Sequence, residues 1–170
     1  MTTYTFDSIY TFDLTGQVQF GSLPTDLINQ LFRNGTTASK FMEHHISIWF
    51  PEFEFVDQRG YDYIHTATLA KWELKGFTPA SGTRYQPSRM IGGGRQDAVS
   101  EQYCTDFKRL LTEHITANDL NYIITDIVDF PIVRVTFKRG QDLLAAWPMG
   151  HIVFKERDLL FKSPSVVTEA

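Results

Sequence analysis

Apolar and polar residues recur along this chain with two periods, and the changes between them divide it into elements. Residues 4–20 alternate aromatic and polar side chains (Tyr4, Phe6, Ile9, Tyr10, Phe12, Val18, Phe20), with Gly16 placed to turn the chain, which predicts a hairpin of two strands. Ser22-Leu23-Pro24 then opens a helical pattern through Leu27, Ile28, Leu31 and Phe32, with Asn34-Gly35 as its stop. A second helix is expected from near Thr37, carrying Phe41, Met42, Ile46 and Trp49 and ending before Pro51. The period changes to two at Pro51. Phe53 and Phe55 alternate with Glu52 and Glu54, Asp57-Gln58-Arg59-Gly60 makes a turn, and strands follow over Tyr61 to Thr68 and about Ala70 to Phe77.

The stretch from Thr78 to Arg95 is polar and rich in Gly, Pro and Ser, a long loop by composition. After it, Val99, Tyr103, Phe107, Leu110, Leu111 and Ile115 trace the apolar face of a helix. Strands are expected over Asn121 to Val128 and Ile132 to Lys138, with Lys138 and Arg139 as a candidate turn. A short Leu143 to Trp147 segment, a strand around His151 to Phe154 and disorder-prone terminal residues complete the chain. The sum is an α/β (α+β) fold, a mixed central β-sheet flanked by helices, with a core at about residues 37–138 and additions at both ends.

Composition narrows the class. A chain of 170 residues with 42% hydrophobic content is expected to form one domain that buries roughly 70% of its unfolded surface. The apolar runs are too short to span a bilayer, and Met1-Thr2-Thr3-Tyr4 lacks the basic-then-apolar order of a secretory signal, so a soluble cytoplasmic protein is expected. The lone cysteine, Cys104, excludes an internal disulfide and a cysteine-rich zinc site, and is expected to pack in the core. A net charge of -4 argues against a protein that coats nucleic acid nonspecifically, while leaving room for basic residues gathered on one face. Phe supplies most of the 14% aromatic content, which points to core packing rather than base stacking.

The candidate chemistry lies in Gly60-Tyr61-Asp62-Tyr63-Ile64 and Trp72-Glu73-Leu74-Lys75-Gly76. Strand alternation places Glu73 and Lys75 on one face and Trp72 and Leu74 on the other. An acid-x-Lys triplet is common by chance, and Asp106-Phe107-Lys108 is a second example, but that one lies in a helical pattern where residues two apart diverge. Hydrolysis of a phosphodiester needs an activated water and compensation for charge on the phosphate and leaving oxygen, both of which a divalent metal supplies. Magnesium takes oxygen ligands and keeps several waters, so Asp62, Glu73 and the carbonyl of Leu74 form a sufficient protein site, with manganese as a substitute. Lys75 beside them either orients or helps deprotonate the attacking water, or neutralises the phosphate.

On these residues the chain resembles the PD-(D/E)xK nuclease superfamily, which includes type II restriction endonucleases and archaeal-type Holliday junction resolvases, over roughly Thr37 to Lys138. The carriers are Asp62 opening one strand, Glu73-Leu74-Lys75 on the next, ten residues between Asp62 and Glu73, and the acidic Glu43 on the preceding helix. The family often uses such a helix acid in metal binding, so the resemblance implies a catalytic role for Glu43. Tyr61 stands where the family name expects proline, a loosely kept position. The implied activity is a Mg2+-dependent DNA endonuclease like the type II restriction enzymes. A structure-specific nuclease of the junction-resolvase, phage-repair or homing type is the alternative, and a noncatalytic binding or assembly protein is the alternative from another class.

Histidine chemistry has less support. His44 and His45 diverge by about 100° on a helix, and His65 falls on the strand face opposite Asp62. Neither a zinc spacing nor Gly-x-Ser-x-Gly is present. Gly92-Gly93-Gly94 lacks the Lys-Ser/Thr of a phosphate-binding loop, but lets Arg95 and Gln96 approach DNA. Arg84 and Arg89 share that loop, and Lys108 and Arg109 extend the candidate DNA-binding strip. Cutting both strands of a duplex implies a twofold homodimer, with residues 1–35, extra to the nuclease-like core, as the dimer element.

Overall fold

The computed structural model describes residues 3–19, 21–32, 35–58, 60–78, 112–147, 152, 156–162 and 165–167. These residues build one seven-stranded mixed sheet with helices on both faces. In chain order its elements are β1 (Ile9–Asp13), α1 (Thr25–Leu31), α2 (Gly35–Trp49), β2 (Phe53–Gln58), β3 (Tyr61–His65) and β4 (Lys71–Phe77). Helical residues 112–118 (α3) follow, then β5 (Asn121–Asp126), β6 (Ile132–Arg139), α4 (Gly140–Ala146), α5 (Arg157–Leu160) and β7 (Ser165–Val167). The strand order is β2-β3-β4-β5-β6-β1-β7, with the β4–β5 and β1–β7 pairs parallel and the rest antiparallel. Among the described residues no helix is long and apolar enough to cross a membrane.

Each face of the sheet has its own core. One holds Tyr10, Phe12, Phe53, Tyr63, Trp72, Leu74 and Phe137, covered by the Ala38, Met42 and Ile46 stripe of α2. The spacing of that stripe at i, i+4, i+8 is the reason this segment is a helix with one buried side, and Pro51 ends it. The other face holds Ile9, Phe77, Tyr122 and Ile124 under Ile115 of α3, Leu143 of α4 and Leu160 of α5. Pro24 starts α1 with φ -59° and accepts the N–H groups of Leu27 and Ile28 at 3.0 and 3.1 Å. Proline suits that place because a helix start has no use for its missing donor.

Several boundaries differ from those the sequence predicts. The N-terminal hairpin is absent: β1 is a single strand that pairs with β6 and β7, and Gly16 (φ +73°) turns the chain after it without joining two strands. The first strand and the aromatic residues before it are therefore not extra to the core. Tyr4 and Phe6 lie 5.3 and 5.4 Å, centroid to centroid, from the Trp72 ring. Gly35 opens α2 instead of closing α1. β3 stops at His65, and Lys138 and Arg139 extend β6 rather than turning the chain. Residues 165–167 form β7 alongside β1, where disorder was expected, because β1 presents an open edge to them. Cys104, Asp106 to Lys108 and the predicted strand from His151 to Phe154 lie outside the described residues, apart from Ile152, which is buried.

Gly140 locks α4 to the end of α3. A Cβ there would lie 2.1 Å from the Leu120 carbonyl oxygen and 2.9 Å from Ile115 Cγ2, both in the packed interior. Gly140→Ala is expected to lose at least about 3 kcal/mol of stability in denaturant melts. Gly16→Ala, with nothing within 4 Å, is expected to cost only about 1 kcal/mol through its positive φ. Equal losses for the two would contradict the packing at Gly140.

Candidate active site

The site is built where β3 leaves β4. Their ladder runs from the His65 N–H to the Ala70 carbonyl at 2.9 Å through the pairs Ile64↔Lys71 and Tyr63↔Trp72. The next β4 N–H aimed at β3, that of Leu74, donates to Asp62 Oδ2 at 2.7 Å. A side-chain carboxylate thus takes the position of a main-chain acceptor. The N–H and carbonyl of one residue in an extended strand face the same neighbour, so the Leu74 carbonyl is also turned toward β3. Leu74's own side chain is buried in the first core, and this sends Glu73 and Lys75 to the opposite face.

Glu73 and Lys75 are joined by a short ion pair, Nζ to Oε1, with both side chains largely buried. Asp62 is held well above the ordinary carboxylate range, at about 6, first by burial and then by the nearby charge of Glu73. The Leu74 N–H and the Lys75 ammonium oppose that shift, and Glu43 adds to it. Burial lifts the Tyr63 and Tyr122 hydroxyls as well, helped by Asp62 and Glu43 at the first and by Glu73 at the second.

Glu43 is near, but it faces other partners. Its Oε2 meets Lys40 Nζ at 2.6 Å and its Oε1 accepts from Ser39 Oγ at 3.3 Å, while its main-chain carbonyl accepts from the Tyr63 hydroxyl at 2.7 Å. It therefore acts on Asp62 through its charge. Among the described residues no group of three or more His, Cys, Asp and Glu side chains is placed to hold a metal. Two carboxylates and one carbonyl remain, a set suited to a cation that keeps most of its waters, as Mg2+ does, and not to a closed zinc site. The observation in favour of that fit is a largely buried Asp62 carboxylate, raised first by burial and then by the charge of Glu73, both of which a divalent cation held by the two acids would offset.

Comparison with family models, curated proteins and solved structures finds no match to this chain.

The structure brings together Asp62, Glu73, Leu74 and Lys75, with Glu43 near enough for its charge to act on Asp62. Arg84, Arg89, Arg95, Gln96, Lys108 and Arg109 lie outside the described residues. His65 is buried against Tyr4 and Phe53 and accepts the Thr68 N–H, a packing role. His44 packs on Phe55 and His45 on Phe41, so the adjacent pair does diverge.

Sequence reasoning missed His114. It hydrogen-bonds the Gly60 backbone two residues before Asp62, and a Cβ on Gly60 (φ +97°) would come within 3.0 Å of its ring. Burial lowers its affinity for a proton, and the charges of Glu73 and Lys75 reach it with opposite signs. Its position one residue before Ile115 signals only a helix flank. A second polar cluster is self-compensating, two arginines against two aspartates: Arg134 Nε donates to the buried Asp126 Oδ2 at 3.1 Å, Arg157 Nε lies 3.4 Å from the same oxygen, and Asp158 Oδ1 lies 3.6 and 3.7 Å from Arg134 and Arg157.

The raised Asp62 makes stability depend on pH with a definite sign. Between about pH 4 and 6 the unfolded chain has already lost this proton while the folded chain keeps it, so stability falls as pH rises through that window. The cost above pH 6 is on the order of 3 kcal/mol. Asp62→Asn, which can still accept the Leu74 N–H, is expected to be more stable than the wild type at pH 7.5, the difference vanishing below pH 4. Urea melts of both proteins at pH 3.5, 5 and 7.5 check this, and a constant difference across them would refute it.

Proposed function

We propose that the protein is a Mg2+-dependent DNA endonuclease of the PD-(D/E)xK type, resembling the type II restriction enzymes. The observation that carries this reading is the set of Asp62, Glu73 and Lys75 at one point of the sheet, with two carboxylates close enough for one to raise the other. Asp62, Glu73 and the Leu74 carbonyl would hold the metal. When bound, the metal supplies a Lewis-acid charge for the phosphate and an acidified water.

The residues themselves do the rest. Asp62 enters the site preset by the Leu74 N–H, so its carboxylate spends little conformational freedom on binding. Lys75 brings a fixed positive charge beside Glu73, where it either orients the attacking water or neutralises charge gathering on the phosphate. Glu43 acts as an outer acid whose field strengthens the pull of Asp62 on a cation. Manganese is expected to substitute, since it accepts the same oxygen ligands. A homodimer would place two such sites on a duplex. Leu27 and Leu31, exposed one turn apart on α1, and Leu23, exposed just before it, are the apolar surface we assign to it.

Purified protein with supercoiled plasmid and Mg2+ or Mn2+ is expected to cut the DNA, with cutting abolished by EDTA and reduced at least about 100-fold in Lys75→Ala. Mg2+ should also raise the melting temperature of the wild type and not that of Glu73→Gln. Discrete fragments would mark sequence-specific cleavage, and preference for branched DNA would instead favour a junction-resolving enzyme. Folded protein that cuts no DNA form and gains no stability from either ion would leave a noncatalytic binding protein as the better reading.

A further inference from the structure

Lys71 shares the site's face of β4 with Glu73 and Lys75, two residues before Glu73. Lys75 is tied to Glu73, but Lys71 has no carboxylate within ion-pair distance among the described residues. Two neutral groups hold its ammonium instead. Asn118 Oδ1 accepts from Lys71 Nζ at 3.3 Å, and the Tyr61 ring lies beneath it at 5.2 Å. Asn118 is itself fixed, because its Nδ2 donates to the His114 carbonyl at 2.9 Å and this leaves the amide oxygen as the end that faces Lys71. A half-buried lysine aimed by an amide and an aromatic face, without a counterion among the described residues, is arranged to receive an anion from outside.

We propose that Lys71, positioned by Asn118 and Tyr61, binds the backbone phosphate next to the one that is cut, and so sets the register of the DNA strand on the site. This rests on the nuclease reading for its substrate. Successive same-face residues of a strand are about 6.6 Å apart, so a nucleic-acid strand lying along β4 with one phosphate at Glu73 and Lys75 has its neighbour at Lys71. Phosphate contacts of this kind carry position and not base identity.

The test is anisotropy titration of a fluorescein-labelled mixed-sequence duplex, with Ca2+ in place of Mg2+, at several salt concentrations. Lys71→Ala is expected to weaken binding about tenfold, equally for different duplex sequences, and to reduce the salt slope by about one. Lys71→Arg, which keeps the charge, should retain the wild-type slope, and Asn118→Ala should fall between wild type and Lys71→Ala. The melting-temperature gain from Mg2+ should be unchanged in Lys71→Ala, because Lys71 is not assigned to the metal. Unaltered affinity and slope in Lys71→Ala would overturn the assignment, as would loss of the slope in a folded Lys71→Arg. A wild type that binds duplex but neither cuts it nor responds to Mg2+ would refute the nuclease reading, while the Lys71 result still decides this contact. A folded wild type that binds no duplex would overturn both.

Discussion

The burial of Trp72 is the constraint on which the rest of the site depends. Its side chain is fully enclosed, with the rings of Tyr4, Phe6, Phe53 and Phe137 all within 6 Å, centroid to centroid. Leu74, two residues on, is buried against the same cluster. A strand fixed at two same-face positions has no freedom to slip. A shift by one residue would drive Glu73 and Lys75 into an aromatic interior, where unpaired charge is strongly disfavoured, and would expose a tryptophan. The acid and the lysine therefore reach the opposite face because the apolar half of the strand leaves them no other place.

That packing also sustains an unfavourable local arrangement. Asp62 interrupts the β3–β4 ladder as a largely buried carboxylate near the charge of Glu73, and burial first, then that charge, raise its protonation range. Such groups persist only where the surroundings over-determine them. Here the surroundings are the aromatic cluster on one face and α3 on the other, whose His114 holds the Gly60 turn that leads into Asp62. The N-terminal segment belongs to the same support. Tyr4 and Phe6 close over Trp72, and β1 is an inner strand of the sheet between β6 and β7.

The elements around the site were legible in the chain because their signals are local. Alternation over Phe53 to Phe77, the i, i+4 stripe of α2 and the stop at Pro51 need no knowledge of distant residues, and β2, β3, β4 and α2 follow them to within a few positions. The assignment of Glu73 and Lys75 to one face came from the same rule. Asp62 was legible as a candidate by its distance from Glu73. Its hydrogen bond to the Leu74 N–H was not, since it depends on where two strands part.

What the sequence by itself determined is the periodicity of each segment, and with it which side chains seek the interior. Tertiary structure alone decided the partners. The 4–20 stretch alternates like a hairpin, but β1 finds better partners in β6 and β7, far along the chain, and a pattern of period two cannot say which strand it will meet. The same holds for α3. Nothing in the spacing of Ile115 announces that the helix will pack over β4, so His114 comes near Glu73, and Asn118 comes to aim Lys71, only once the sheet has formed. Local sequence sets the direction of a side chain relative to its own backbone, while the charge it meets there is set by chain segments that fold in from elsewhere.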